Sequence, residues 1–110
     1  MKVGEYVEKG LKNIVEEKPE NYKELGKAKS GCHLVTVYIR ESEGKVEDVK
    51  IKATKRCKKL LAIADFIAES SKSKGKLEID EDEILNFFKE EKETDKMKDR
   101  INLVKSAIGG

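Results

Sequence analysis

A change of hydrophobic period part-way along this chain limits its fold more than any other feature. From His33 to Arg40, "HLVTVYIR", Val35, Val37 and Ile39 alternate with Leu34, Thr36 and Tyr38, the period of two that a strand presents. After a hairpin loop at "ESEG" (41–44), "KVEDVKIKAT" (45–54) sets Val49, Ile51 and Ala53 against Asp48, Lys50 and Lys52, which predicts a half-buried strand antiparallel to the first. The period then becomes 3.6. Cys57, Leu60, Leu61, Ala64, Ile67 and Ala68 share one helical stripe that runs to about Ser71. A β-ribbon followed directly by an amphipathic helix buries both apolar surfaces when the helix folds back over one sheet face.

The flanking elements follow from the same reasoning. Tyr6, Val7, Leu11, Ile14 and Val15 recur at helical spacing ahead of Pro19, predicting a helix over 4–17 that Gly10 weakens. Residues 20–31, "ENYKELGKAKSG", are polar with two glycines and read as a loop with room for a short edge strand. Asp80 with Glu83 forms an acidic variant of the capping box before Ile84, Leu85, Phe87 and Phe88. Thr94 or Asp95 caps a last helix that carries Met97, Ile101, Val104 and Ile108 and ends at Gly109 and Gly110. The expectation is one α+β domain over residues 1–110. It has a small antiparallel sheet of about three strands, one N-terminal helix, and about three C-terminal helices on one sheet face.

Charge removes several functional classes. The 24 basic residues nearly balance 22 acidic ones, so the net charge of +2 makes no global field toward nucleic acid or anionic lipid. No apolar run is long enough for a membrane span or a secretory signal, and a soluble cytoplasmic protein is expected. The Lys- and Glu-rich composition, without Trp or Gln, has the lean of proteins from hot environments. Six of ten residues in "KIKATKRCKK" (50–59) are basic, but no aromatic side chain is interleaved, so a solvated face is favoured over a nucleic-acid interface. With one His, no nucleophile elbow, no Gly-rich phosphate loop and no zincin motif, the chain does not read as an enzyme.

Two cysteines carry the remaining chemistry. Cys57 stands at a predicted helix N-terminus beside Lys55, Arg56, Lys58 and Lys59. Such surroundings can lower a thiol from about 8.5 into roughly the 3.5–7.5 range. The alternative is a small buried residue heading an apolar stripe. Cys32 opens the first strand and Cys57 follows the second, so both lie near one end of the ribbon, within reach of a common metal ion. His33 adjoins Cys32, although strand neighbours face opposite ways.

The stretch from Gly31 to Lys76 resembles the scaffold proteins of iron-sulfur cluster assembly, the NifU N-terminal and IscU type. Val46, Asp48, Ile51 and Lys52 fit that family's "V-x-D-x-x-(F/I)-K" strand, and Cys32 and Cys57 fit its first two cysteines. The resemblance implies a scaffold that exchanges ligands with a labile iron-sulfur cluster, iron or zinc, and works with a cysteine desulfurase and iron-sulfur acceptor proteins. The chain departs from the pattern at Leu34, where the family has Asp, and at Lys98 and Asp99, where it has His and a third Cys. Lys96 alone is kept from the segment that the family's chaperone recognises. The implied ligand set is Cys32, Cys57 and Asp99, with His33 as a fourth for a single metal ion. A persulfide acceptor of the SufE type, with its thiol on a loop before a strand, and an interaction module of the same fold are the alternatives.

Overall fold

The computed structural model describes residues 1–109; Gly110, expected to help end the last helix, lies outside the described residues. The element order is α1 (Val3–Glu8), β1 (Lys23–Ser30), β2 (His33–Ser42), β3 (Lys45–Ala53), α2 (Lys58–Lys74), α3 (Glu81–Phe87) and α4 (Thr94–Ile108). The fold is α+β, a three-stranded antiparallel sheet in the order β1-β2-β3 with four helices packed around it. Val35, Val37 and Ile39 of β2 and Val49 and Ile51 of β3 are buried on one sheet face, together with Leu60, Ile63, Ile67, Ile101 and Val104 from α2 and α4. The period change therefore resolves as read: one face of the ribbon meets one stripe of each long helix. Among the described residues no helix is long and apolar enough to cross a membrane.

Two expectations for the first third of the chain are corrected. The first helix ends at Glu8 instead of reaching residue 17, because Gly10 takes φ +105°, a conformation that a residue with a Cβ rarely adopts. Beyond it the chain runs along the free edge of β3: Ile51 N–H donates to the Asn13 carbonyl (2.8 Å) and Val15 N–H to the Ile51 carbonyl (2.9 Å). These bonds cover an edge that would otherwise be exposed. Residues 20–31 hold the expected edge strand, but it is not short: Lys23–Ser30 form a full strand paired along β2, with a bulge at Leu25 between Glu24 and Gly26. Its Lys-rich outward positions hide the strand signal, because an edge strand needs no apolar alternation to pair through its backbone.

Smaller boundaries also shift. Glu41 and Ser42 belong to β2, and the hairpin turns on Glu43 and Gly44 alone. Asp80 caps α3 by accepting from Glu83 N–H at 3.1 Å. Glu83 does not complete the box, because its carboxylate accepts from Ser70 and pairs with Lys74 instead. For α4 the cap position is Glu93, one residue before Thr94, and it makes no side-chain cap bond. The helix C-cap is Gly109.

Buried polar groups, unforeseen in the sequence, fasten the N-terminal segment. Asp65, in the middle of α2, accepts from Tyr6 Oη (2.7 Å), Lys12 N–H (2.9 Å), Asn13 N–H (2.7 Å) and Asn13 Nδ2 (3.2 Å). Burial first, and the bond to Asp65 second, push the Tyr6 hydroxyl above its ordinary value. The Tyr6 ring stacks edge-on against Phe87 and Phe88, centroids 5.9 and 5.6 Å away, which ties α1 to α3.

A second cluster surrounds Asp48, the family-motif position of β3. Tyr22 Oη donates to its carboxylate, Lys50 Nζ lies 3.5 Å from it, and Lys72 Nζ forms an ion pair with Oδ1 at 3.1 Å. Burial raises the Asp48 carboxyl, but the bonds from Tyr22 and Lys72 and the charges of Lys50 and Lys72 outweigh it, and the net shift is downward. A carboxyl lowered on folding contributes stability that is complete above about pH 4 and is lost as pH falls through the folded-state value. Lys72 is shifted up, its burial outweighed by Asp48, so its contribution is intact at neutral pH and is lost only as pH rises through its folded value. Urea midpoints are expected to fall as pH drops from about 4 toward 2. Asp48→Asn should lower the midpoint at neutral pH and flatten the acid limb; an unchanged acid limb would rule out this role for Asp48.

Candidate functional site

The backbones of the two cysteines are linked through Thr54 at one end of the sheet. β1 and β2 are joined by a two-residue turn, Gly31 and Cys32, with Ser30 facing His33 across it. Gly31 takes φ +60° in the first place, where a side chain would be strained and glycine is not. Cys32 thus stands exposed in a hairpin turn just before β2, a correction to its expected place as the residue that ends a loop and opens the strand.

Thr54, the residue just past β3, connects the two sulfur-bearing residues. Its hydroxyl donates to the Cys32 carbonyl at 3.3 Å and accepts from Leu34 N–H at 2.8 Å. Its own N–H reaches the Leu34 carbonyl (3.1 Å), and its carbonyl accepts from Cys57 N–H (3.4 Å). The expectation that the start of β2 and the end of β3 share one end of the ribbon holds at this level.

Cys57 is the N-cap of α2, half-buried and packed against the hydrophobic core at the head of the helix. Its Sγ accepts from Leu60 N–H at 3.4 Å, filling one of the donor positions that a helix start leaves open. A second donor is Arg100 Nε, at 3.3 Å from α4. The Arg100 side chain is only 16% exposed, and the bond to Cys57 is the leading cause that holds its guanidinium above its ordinary value, against burial, which lowers it. The cationic partner of Cys57 therefore comes from another helix. Of the neighbouring run expected to supply the charge, Lys55 pairs with Glu16 and Lys59 with Glu93.

The other expected ligands are placed differently. Asp99 pairs with Arg100 and is 61% exposed. His33 is half-buried on the same strand parity as Val35, the helix-facing side. Lys96 pairs with Glu93 at 2.7 Å, and Glu93 also meets Lys59 at 3.3 Å, which clamps the first turns of α4 and α2 together. Lys98 is exposed. Among the described residues no three His, Cys, Asp or Glu side chains are grouped to hold a metal ion.

Two residues that position the thiols escaped the sequence reading. Arg100 follows Met97 by three positions and precedes Val104 by four, so it flanks the buried stripe of α4; that spacing was the available signal. Thr54 carried no signal beyond a hydroxyl at the end of a strand. The arrangement holds one sulfur between two N–H donors and leaves the other open to solvent, which suits thiol exchange and the ligation of soft cations by sulfur. Comparison with known protein families and with characterised proteins finds no match to the chain.

Proposed function

We propose that the chain is a divergent scaffold-like protein of iron-sulfur cluster assembly, which takes iron, zinc or a labile cluster as cargo on the thiolates of Cys32 and Cys57. The observation that carries this reading is the pair of Thr54 contacts, one to the backbone of each cysteine. They support the reading by bringing the backbones of both cysteines to one sheet end beside the start of α2, where the sequence resemblance expects cargo to be held. The chemistry is ligand exchange: each thiolate gives a lone pair to the incoming metal, and the cargo leaves when an acceptor's thiolates replace them. Asp99 joins as a further ligand only after it releases Arg100.

A second reading, a persulfide acceptor, is favoured by the exposure of Cys32. The Cys32 thiolate would attack the outer sulfur of a desulfurase persulfide, forming a new S–S bond at Cys32. The donor's S–S bond breaks and its sulfur leaves as a thiolate, with no net oxidation.

Anaerobic loading with ferrous iron and sulfide, followed by desalting and metal analysis, tests the first reading. Cys57→Ser and Cys32→Ser are each expected to retain iron roughly tenfold less well or worse than the parent chain. Equal retention in all three proteins, or none in the parent, would remove the proposal. Mass spectrometry after incubation with a desulfurase and cysteine decides for the second reading if one sulfur atom is added at Cys32 without bound metal.

A further inference from the structure

The sheet face turned away from α2 and α4 carries a second candidate site. Directly opposed residues of an antiparallel sheet share a face. Lys27, Thr36 and Lys52 therefore form one row across the three strands, and Lys29 and Leu34 form the next, with Thr54 bonded to Leu34. These rows line an open groove of about 600 Å³. Leu34, in its middle, is 53% exposed, the most exposed large apolar side chain among the described residues. In the row beyond, Tyr38 is only 6% exposed, so the accessible strip ends there.

The charge around Leu34 is uncompensated. Further along the sheet Lys23 pairs with Glu41, Arg40 with Glu47 and Lys50 with Asp48, while Lys45 beside the β2–β3 turn makes no ion pair among the described residues. Among the described residues Lys27, Lys29 and Lys52 make no ion pair, although the whole chain is almost neutral. Three like charges around one exposed aliphatic side chain repel one another, and an incoming anion relieves that repulsion.

We infer that this groove docks an acidic segment of a partner protein, one that also carries an aliphatic or aromatic side chain to cover Leu34. An apolar centre with a charged rim is the anatomy of a protein-protein contact. Complementary charge on the rim speeds encounter and selects the partner. A single-stranded nucleic acid fits the groove less well, because its two rows offer no aromatic ring for stacking and no arginine. Through Thr54 the groove adjoins the Cys32 backbone carbonyl. The inference goes beyond the sulfur-handling reading, since docking uses neither sulfur.

Display of random peptides against the immobilised, reduced full chain tests it. Enriched peptides are expected to be net acidic with at least one large apolar residue, and to bind more weakly as salt rises. Leu34→Glu and the Lys27→Glu/Lys52→Glu double variant should each weaken them by roughly tenfold or more. Both changes lie on the exposed face, and circular dichroism verifies folding. A Cys32→Ser/Cys57→Ser chain should bind the same peptides unchanged, so failure of the sulfur proposal and failure of this one are separable. No enrichment, enrichment of neutral or basic peptides, or equal binding to the variants would overturn the inference. So would competition by poly(U) RNA or oligo(dT) that the same substitutions abolish.

Discussion

Replacing Asp65 with alanine is expected to cost about 3–5 kcal/mol, a large share of the roughly 5–15 kcal/mol that holds a domain together. Asp65 is 2% exposed and its two oxygens accept four bonds, three on Oδ1 and one on Oδ2. All four bonds are donated to the carboxyl oxygens, which act as acceptors. Alanine leaves the amides of Lys12 and Asn13 and the Tyr6 hydroxyl without their partner, each at about 1–3 kcal/mol where water cannot replace it. Tyr6→Phe removes one bond and should cost about 1–2 kcal/mol. Urea unfolding followed by far-ultraviolet circular dichroism measures both. A loss below about 1 kcal/mol for Asp65→Ala would mean that the N-terminal segment is not latched through this carboxylate. The effect reaches the sheet, because Asn13 also pairs with Ile51 at the free edge of β3.

Gly26→Val is the second large effect, and its sign separates local preference from tertiary structure. Valine is the better strand residue, and in an ordinary strand the change would stabilise by up to about 1 kcal/mol. In this fold a Cβ on Gly26 would run into the Ala107 carbonyl oxygen, well inside van der Waals contact, and the obstacle is helix backbone that no side-chain rotation can clear. β1 and α4 must separate, so the expected cost is about 3 kcal/mol. Because α4 also carries Arg100, the shift should loosen its bond to Cys57 as well. Unchanged stability in Gly26→Val would refute the close approach of β1 and α4.

Legibility differed between parts of the chain for identifiable reasons. β2, β3, α2 and α4 could be read because each buries one face, and burial imposes a period on the residues that form it. β1 could be read only as room for a short edge strand, since an edge strand with an exposed face pairs through backbone groups that every sequence has. The N-terminal helix was overextended because Leu11, Ile14 and Val15 kept helical spacing while the chain around them had already turned to pair with β3. The one usable warning there was Gly10. Asp65 had a signal, a lone carboxylate within the apolar run "LLAIADFIA", and its partners 52 to 59 residues away did not. At the candidate site the shared end of the ribbon was readable from the spacing of Cys32 and Cys57, whereas the groove around Leu34 required knowing that β1 pairs with β2.

By itself the sequence determined which segments are β-ribbon and which are long amphipathic helices, and hence the α+β class, because hydrophobic periodicity is a local record of burial. Tertiary structure alone decided that Arg100 rather than the adjacent lysines meets Cys57, that Asp99 turns to Arg100, and that three lysines surround Leu34 with no ion pair among the described residues. Those outcomes depend on which surfaces of distant segments touch. Hydrogen bonds and ion pairs form over about 3–4 Å between partners that no sequence spacing relates.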